Sequence, residues 1–185
     1  DVVFIGNGTA QATNALREGE VAQVGIIGMG AGGLTGRADK ETTVGDIELA
    51  PGKYLRTDHE FIDSESLTDD AILAAVKALR ERGSEVIVAS ESYSVDDPTN
   101  EKHVIDLCRQ QETVATGGFE ISQLYGLQAR TRTAAVNAAL IPKMMETANM
   151  TEEAVRESGI QKPLMIMRCD GGVMSINEVR KRPIL

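Results

Sequence analysis

Thr68-Asp69-Asp70-Ala71-Ile72-Leu73-Ala74-Ala75-Val76-Lys77-Ala78-Leu79-Arg80-Glu81-Arg82-Gly83-Ser84-Glu85-Val86-Ile87-Val88-Ala89-Ser90 is the stretch whose reading settles the fold class. Thr68 has the chemistry of an N-cap, and Asp69 and Asp70 load the first turn with negative charge. Ile72, Ala75, Val76 and Leu79 recur at i, i+3, i+4 and i+7, so the pattern predicts an amphipathic helix that stops at Gly83. Glu85 to Ser90 is then a strand. Asp97-Pro98 starts a second helix, with proline at its first position, that carries Val104, Ile105 and Cys108. His103 on this helix reads as a partly exposed surface residue, and Thr113 to Thr116 is a strand ending at Gly117-Gly118. The αβαβ order is the sign of a parallel sheet with covering helices, hence an α/β fold.

Upstream, Val2 to Ile5 is a short strand broken by Gly6-Asn7-Gly8, Thr9 is a further N-cap, and a helix from Ala10 to Glu18 ends at Gly19. A second apolar run, Val24 to Ile27, leads into Gly28-Met29-Gly30-Ala31-Gly32-Gly33, which satisfies the GxGxxG spacing of dinucleotide sites. That fingerprint needs a helix to begin at the glycines, so that its N-terminus holds a pyrophosphate. Leu34 to Lys40 is polar and glycine-broken, which favours a flexible glycine loop over a nicotinamide-dependent oxidoreductase. From Thr42 to Ser66 the chain reads as strand-poor connection with a turn at Ala50-Pro51-Gly52. Asp58-His59-Glu60 and Asp63 are metal-capable, but one histidine in a polar loop lacks the supporting groups a metal needs, and no metal site is expected.

Downstream, Ile121 to Ser158 is helical, and Pro142 predicts a kink or break. Met144, Met145, Ala148 and Met150 read as packing surface. Gly159 closes the segment, Pro163 to Met167 forms a strand, and Gly171-Gly172 turns the chain directly into a helix capped by Ser175 and Glu178 in S-x-x-E spacing. Asp170 is the polar group beside those glycines, and such strand-end turns are where open α/β sheets bind ligands. Cys169 has no adjacent base and reads as a buried thiol.

The 185 residues, 42% hydrophobic and 25% charged, suit one globular domain or two small lobes. A net charge of -9 argues against a nucleic-acid partner, and the locally basic Arg180-Lys181-Arg182 complements a helix end. Cys108 and Cys169 are far apart, without a CxxC pair, which disfavours a metal or disulfide scaffold and fits a reducing cytoplasm. No apolar run approaches membrane-spanning length, so no membrane partner is expected. The chain opens without methionine straight into a strand and stops in an apolar run, and it reads as a piece of a longer protein.

Three stretches, in order, carry a resemblance. Gly8-Thr9-Ala10-Gln11-Ala12-Thr13-Asn14-Ala15-Leu16 is similar to G-T-T-x-A-T-N-A-L. Ala129-Arg130-Thr131-Arg132-Thr133-Ala134-Ala135-Val136-Asn137-Ala138 is similar to E-R-T-x-T-T-V-x-N-A. Pro163 to Pro183 is similar to P-L-x-x-M-x-S-x-G-G-x-M-S followed by a helix and R-R-P. Ser92-Tyr93-Ser94 with Asp97-Pro98 and Glu101 adds a weaker likeness to S-Y-x-N-P-x-H-E. Together they make the chain resemble the hydantoinase A/5-oxoprolinase family.

The resemblance implies part of an actin-like, ribonuclease-H-type ATPase fold, with residues 1–129 the latter part of the N-terminal region and residues 130–185 the start of the catalytic domain. It implies an ATP-dependent enzyme subunit, with ATP and Mg as cofactors held by glycine-rich phosphate loops outside this stretch. Family members open cyclic amides such as hydantoins and 5-oxoproline, and relatives carboxylate ketones, through phosphorylation of a carbonyl or enol oxygen. A small cyclic amide or ketone and a second large subunit of the hydantoinase B type are the implied partners. The candidate site residues are Arg130, Asp170, Gly171 and Gly172, with Thr9, Thr13 and Asn14 behind them and Thr133 and Asn137 on the helical face of Arg130. Arg130 either holds a phosphate or carboxylate or pairs with an acid to fix the helix. Ala10, Ala129 and Cys169-Asp170 depart from the family pattern and suggest a divergent branch with a different substrate. A non-catalytic αβ subunit-contact module is the reading from a third class.

Overall fold

The computed structural model describes residues 5–8, 10–159, 164–167 and 171–183. In chain order the elements are β1 (Ile5–Gly8), α1 (Ala10–Glu18), β2 (Val24–Gly30), α2 (Thr35–Thr42), β3 (Ile47–Ala50), β4 (Lys53–Leu55), β5 (Thr57–Asp63), α3 (Asp69–Glu81), β6 (Val86–Glu91), α4 (Thr99–Gln110), β7 (Val114–Gly117), α5 (Gly118–Ile121), α6 (Leu127–Glu157), β8 (Leu164–Met167), β9 (Val173–Ser175) and α7 (Ile176–Lys181). Residues 22–139 form one compact unit, and residues 1–21 with 140–185 form another. Among the described residues no helix is long and apolar enough to cross a membrane.

The larger unit is the predicted α/β layer structure. Its four-stranded sheet runs β5-β2-β6-β7, parallel throughout. Helix α3 forms where its periodicity requires: Thr68 Oγ1 accepts from the Ala71 amide at 3.2 Å, and Ile72, Ala75, Val76 and Leu79 are its buried residues. Full burial of Ile72 and Leu79 contributes about 1.5–3 kcal/mol each. They pack with Ile27, Met29, Ile87, Val104, Leu107 and Cys108 in one core. Burial pushes the Cys108 thiol up to about 12, so it behaves there as a small hydrophobe.

Two expectations fail in this unit. The glycine string is followed by a helix after all, because α2 begins at Thr35, after a short 3-10 turn over Gly32–Leu34. Its sequence lacks an apolar stripe since it buries only Ala38 and Thr42, one helical turn apart. These two small residues dock on two glycines of the same strand face. A Cβ at Gly30 would stand 2.6 Å from Ala38 Cβ, and one at Gly28 would collide with Thr42 and lie 2.7 Å from His59 Nε2. The strand therefore extends through the glycines to Gly30, and their missing side chains serve helix-on-strand contact.

The stretch from Thr42 to Ser66, expected to be strand-poor, contains the β3–β4 hairpin and β5. β5 pairs with β2 from Val24↔Thr57 to Gly30↔Asp63. Its polar residues suit a sheet edge, where charged side chains discourage further pairing. Asp58, His59 and Glu60 have local partners there: Gln23 Nε2 donates to Asp58, Arg82 pairs with Glu60, and the His59 ring lies 2.9 Å from Thr42 Oγ1 and 3.2 Å from Thr43 Oγ1. Among the described residues no group of three or more His, Cys, Asp or Glu side chains is placed to hold a metal ion.

In the smaller unit β1 pairs parallel with β8, and β8 pairs antiparallel with β9. Ala12, Ala15, Leu140, Met144, Ala148, Leu164, Ile166, Ile176 and Val179 form its core. Three corrections apply. The glycines at 6 and 8 lie within β1, since pairing with β8 recruits Ile5–Gly8. Gly171-Gly172 leads into β9 before α7, because residues 173–175 are long enough to fold back on β8, with Met165 opposite Ser175. Of the kink or break expected at Pro142 the break does not occur, since helix α6 spans Leu127–Glu157 with Pro142 inside it, and Met150 is 65% exposed instead of packed. The Ser175 cap of α7 forms as expected, accepting from the Glu178 amide at 3.3 Å, and Arg180 Nη2 donates to Asn149 at 2.8 Å, bracing α7 on α6.

Gly28→Ala should lower stability by about 1–3 kcal/mol in urea unfolding, the cost of overpacking a closed contact. Gly33→Ala, where no heavy atom lies within 4 Å of the added carbon, should stay within about 0.5 kcal/mol of wild type. Burial holds His59 below its ordinary value, partly offset by Asp39 and Glu60. The unfolded chain then takes up the proton first as pH falls, so this group's support is complete above about pH 6.5 and declines below it. Urea midpoints measured at about pH 7.5 and about pH 5.5 should therefore differ more for wild type than for His59→Gln.

Candidate functional site

The register of the smaller unit puts Gly8 opposite Met167 at the carboxyl ends of the neighbouring parallel strands β1 and β8. Gly171 and Gly172 are exposed, Gly171 has φ 84°, and no heavy atom lies within 4 Å of where its Cβ would stand. Only glycine adopts that backbone at little cost, and the open space lets another molecule's atoms approach the main chain. Thr13 and Asn14 are exposed on α1, the helix that leaves β1. Thr9, Asp170 and Cys169 lie outside the described residues.

Arg130, Thr133 and Asn137 belong to the larger unit and do not share an environment. Thr133 is exposed, with Oγ1 donating to the Ala129 carbonyl at 2.9 Å, while Asn137 is fully buried. Arg130 is 1% exposed. Its Nη1 donates to the Leu124 carbonyl at 2.7 Å, and its Nη2 to the Glu91 carbonyl at 2.7 Å and Ser94 Oγ at 3.3 Å. Its Nε lies against Gly118 without a hydrogen-bond partner among the described residues.

Glu101, also fully buried, accepts from the amides of Glu91 at 2.8 Å and Phe119 at 3.0 Å. Burial pushes its carboxyl up, and the bonds from Phe119, Ser94 and Glu91 and the Arg130 charge oppose that rise. Together these two side chains tie the end of β6 to α4, α5 and α6. The weak likeness around Ser92 to Glu101 was the sequence signal for this node, although it did not place Glu101 in the surroundings of Arg130.

A crevice of about 200 Å³ opens where the sheet changes direction. From β2 the chain adds β5 on one side and then β6 on the other, and the carboxyl ends of β2 and β6 diverge at this topological switch point, the usual ligand position in open α/β sheets. Leu34, Arg37 and Glu41 come from the segment after β2, Ser92 and Tyr93 from the turn after β6, and Tyr125 and Leu127 from the approach to α6. Sequence reasoning missed this set because it depends on α2, a helix with no apolar periodicity.

The hydantoinase/oxoprolinase family profile matches residues 130–185. Caprolactamase subunit alpha of Pseudomonas jessenii is 27% identical over 120 residues, 64% of this chain and 17% of its own length. The crystal structure of the ATP-dependent caprolactamase from Pseudomonas jessenii matches 92% of this chain and 27% of its own, at 26% identity and TM-score 0.65. A nucleotide-free acetone carboxylase structure, at 17% identity and TM-score 0.61, matches 92% of this chain and 28% of its own, and it bears on the fold alone. The chain spans 17–28% of the length of these relatives. The shared architecture agrees with the actin-like class of α/β fold.

Replacing Arg130 with Met should cost about 2–4 kcal/mol, because the buried carbonyls of Glu91 and Leu124 lose their charged donors and buried Glu101 loses a nearby positive charge. Arg130→Lys should recover only part of it, since an ammonium lacks the planar fork. Chemical denaturation of the three proteins at neutral pH measures both effects.

Proposed function

We propose that this chain, whose residues 130–185 match the hydantoinase/oxoprolinase family profile, is part of an ATP-dependent enzyme subunit of that family that activates a carbonyl by phosphorylation, for hydrolysis of a cyclic amide. The observation that carries this reading is the likeness to an ATP-dependent caprolactamase across 92% of the chain at 26% identity. In the whole subunit, residues 1–129 would be the latter part of the N-terminal region and residues 130–185 the start of the catalytic domain. A ketone carboxylation uses the same carbonyl or enol activation and is the neighbouring reaction within this reading. The partners are a small cyclic amide or ketone and a second large subunit of the hydantoinase B type, and the location is the cytoplasm.

When bound, ATP with Mg would supply the phosphoryl group that makes the substrate carbonyl carbon a better electrophile. The exposed turn at Gly171 and Gly172 fits the approach of phosphate or carbonyl oxygens to backbone N–H groups. Gly171, Gly172, Thr13 and Asn14, with Thr9 and Asp170 of the same sequence motifs, are the proposed cleft residues of the smaller unit. Arg130, Thr133 and Asn137 are proposed as site residues of the larger unit. The nicotinamide alternative loses its physical basis at Gly28 and Gly30, whose missing side chains are accounted for by contact with α2 and His59.

The test is phosphate release by the full-length subunit with its partner, assayed against lactams, hydantoins, 5-oxoproline and simple ketones. Stimulation of ATP hydrolysis several-fold by one ring amide, with the ring-opened acid as product, is the expected outcome. Full-length protein whose ATP hydrolysis responds to none of these compounds would overturn the reading.

A further inference from the structure

The switch-point crevice of the larger unit has a chemistry of its own. The chain has three tyrosines, and two of them, Tyr93 and Tyr125, line this one cavity while remaining 60% and 64% exposed. Tyr93 has φ 60°, a left-handed backbone that a bulky residue adopts at a cost, at the third position of a turn closed by the Ser94 amide on the Glu91 carbonyl at 3.4 Å. Glycine is the ordinary occupant of such a position, and local strain of this kind gathers at ligand sites. Glu112, the other non-glycine residue with positive φ among the described residues, simply follows the end of α4. Tyr125 is held from the other side by its hydroxyl, which donates to Asp96 at 2.8 Å.

The polar lining is mostly donors. Arg37 uses only Nε, on Glu41 at 2.7 Å, and its two Nη groups make no hydrogen bond among the described residues. The hydroxyls of Ser92 and Tyr93 also make none among them. Leu34 and Leu127 supply the apolar lining.

We propose that this crevice binds a small, planar, singly charged carboxylate, its ring against the tyrosines and its carboxylate on the Nη edge of Arg37 and the Ser92 hydroxyl. Size and charge select this class. A volume near 200 Å³ is below the range of about 300–1,000 Å³ for drug-sized ligands, which points to a single ring. Glu41 engages only Nε of Arg37 and leaves the Nη edge to one ligand carboxylate, while its own negative charge beside that edge disfavours a polyphosphate. A guanidinium fork is the side chain best matched to a planar carboxylate, and the flat faces of the tyrosines favour a flat ring over a puckered one. This site is independent of the ATP-dependent reading and stands or falls separately from it.

The test is titration of the full-length subunit with benzoate by calorimetry and saturation-transfer NMR, beside benzamide, which lacks the charge, and cyclohexanecarboxylate, which lacks the flat ring. Benzoate should saturate in the millimolar range or tighter, and both analogues should bind more weakly. Arg37→Ala and Tyr93→Gly, checked for folding by circular dichroism, should each weaken benzoate about tenfold. The arginine side chain is 74% exposed and glycine suits φ 60°, so both variants should keep the fold. No saturation by benzoate, equal binding of either analogue, or wild-type affinity in either folded variant would overturn the assignment. The analogue comparison decides on wild-type protein alone if a variant misfolds.

Discussion

The larger unit depends on one constraint, the close approach of α2 to the middle of β2. All seven residues of β2 are buried, and it pairs with β5 along its whole length and with β6 from Val24 to Met29, so its backbone is bonded on both sides. At Gly28 and Gly30 the strand offers no side chain, and Ala38, Thr42 and His59 occupy the space left. That contact fixes a helix which is polar on most of its surface and has little intrinsic reason to form. It also fixes Arg37 and Glu41 above the carboxyl ends of β2 and β6. The crevice is therefore a consequence of two absent methyl groups.

A second dependence runs through Arg130 and Glu101. A buried arginine has five N–H donors to place, and here the guanidinium reaches two main-chain carbonyls and a serine. The carboxylate opposite it holds two amides at the ends of different elements. Such a node orders the loops around the end of β6, including the turn that presents Tyr93. The arginine of the family-like stretch thus acts, within this unit, on the backbone of its own chain. The smaller unit has a different device, an exposed stretch at Gly171 and Gly172 where the main chain itself is the accessible group.

Local pattern was enough wherever an element carried its own hydrophobic period and its own ends. Helix α3, with Thr68 and Gly83, and helix α4, with Val104, Ile105 and Cys108 buried, follow from spacing alone. It was insufficient where a neighbour supplies the driving force. β5 is a strand because β2 pairs with it, although its own residues are polar. β9 is a strand because β8 is there to receive it, and α6 continues past Pro142 although local rules favour a break. The ordered motifs, by contrast, carried the family resemblance across gaps that local rules misread.

The sequence by itself determined the α/β class, the two strong helices and the central strand of the αβαβ run, because periodicity and capping are local properties of the chain. It also determined the family resemblance, because three ordered motifs survive at low identity. The tertiary structure decided which glycines are packing notches and which lie open, Gly28 and Gly30 in the first group and Gly33 and Gly171 in the second. It decided that Arg130 is committed to carbonyls, and that two tyrosines far apart in the chain line one crevice. These are questions of what lies across a contact, and a glycine or an arginine carries the same symbol whatever faces it.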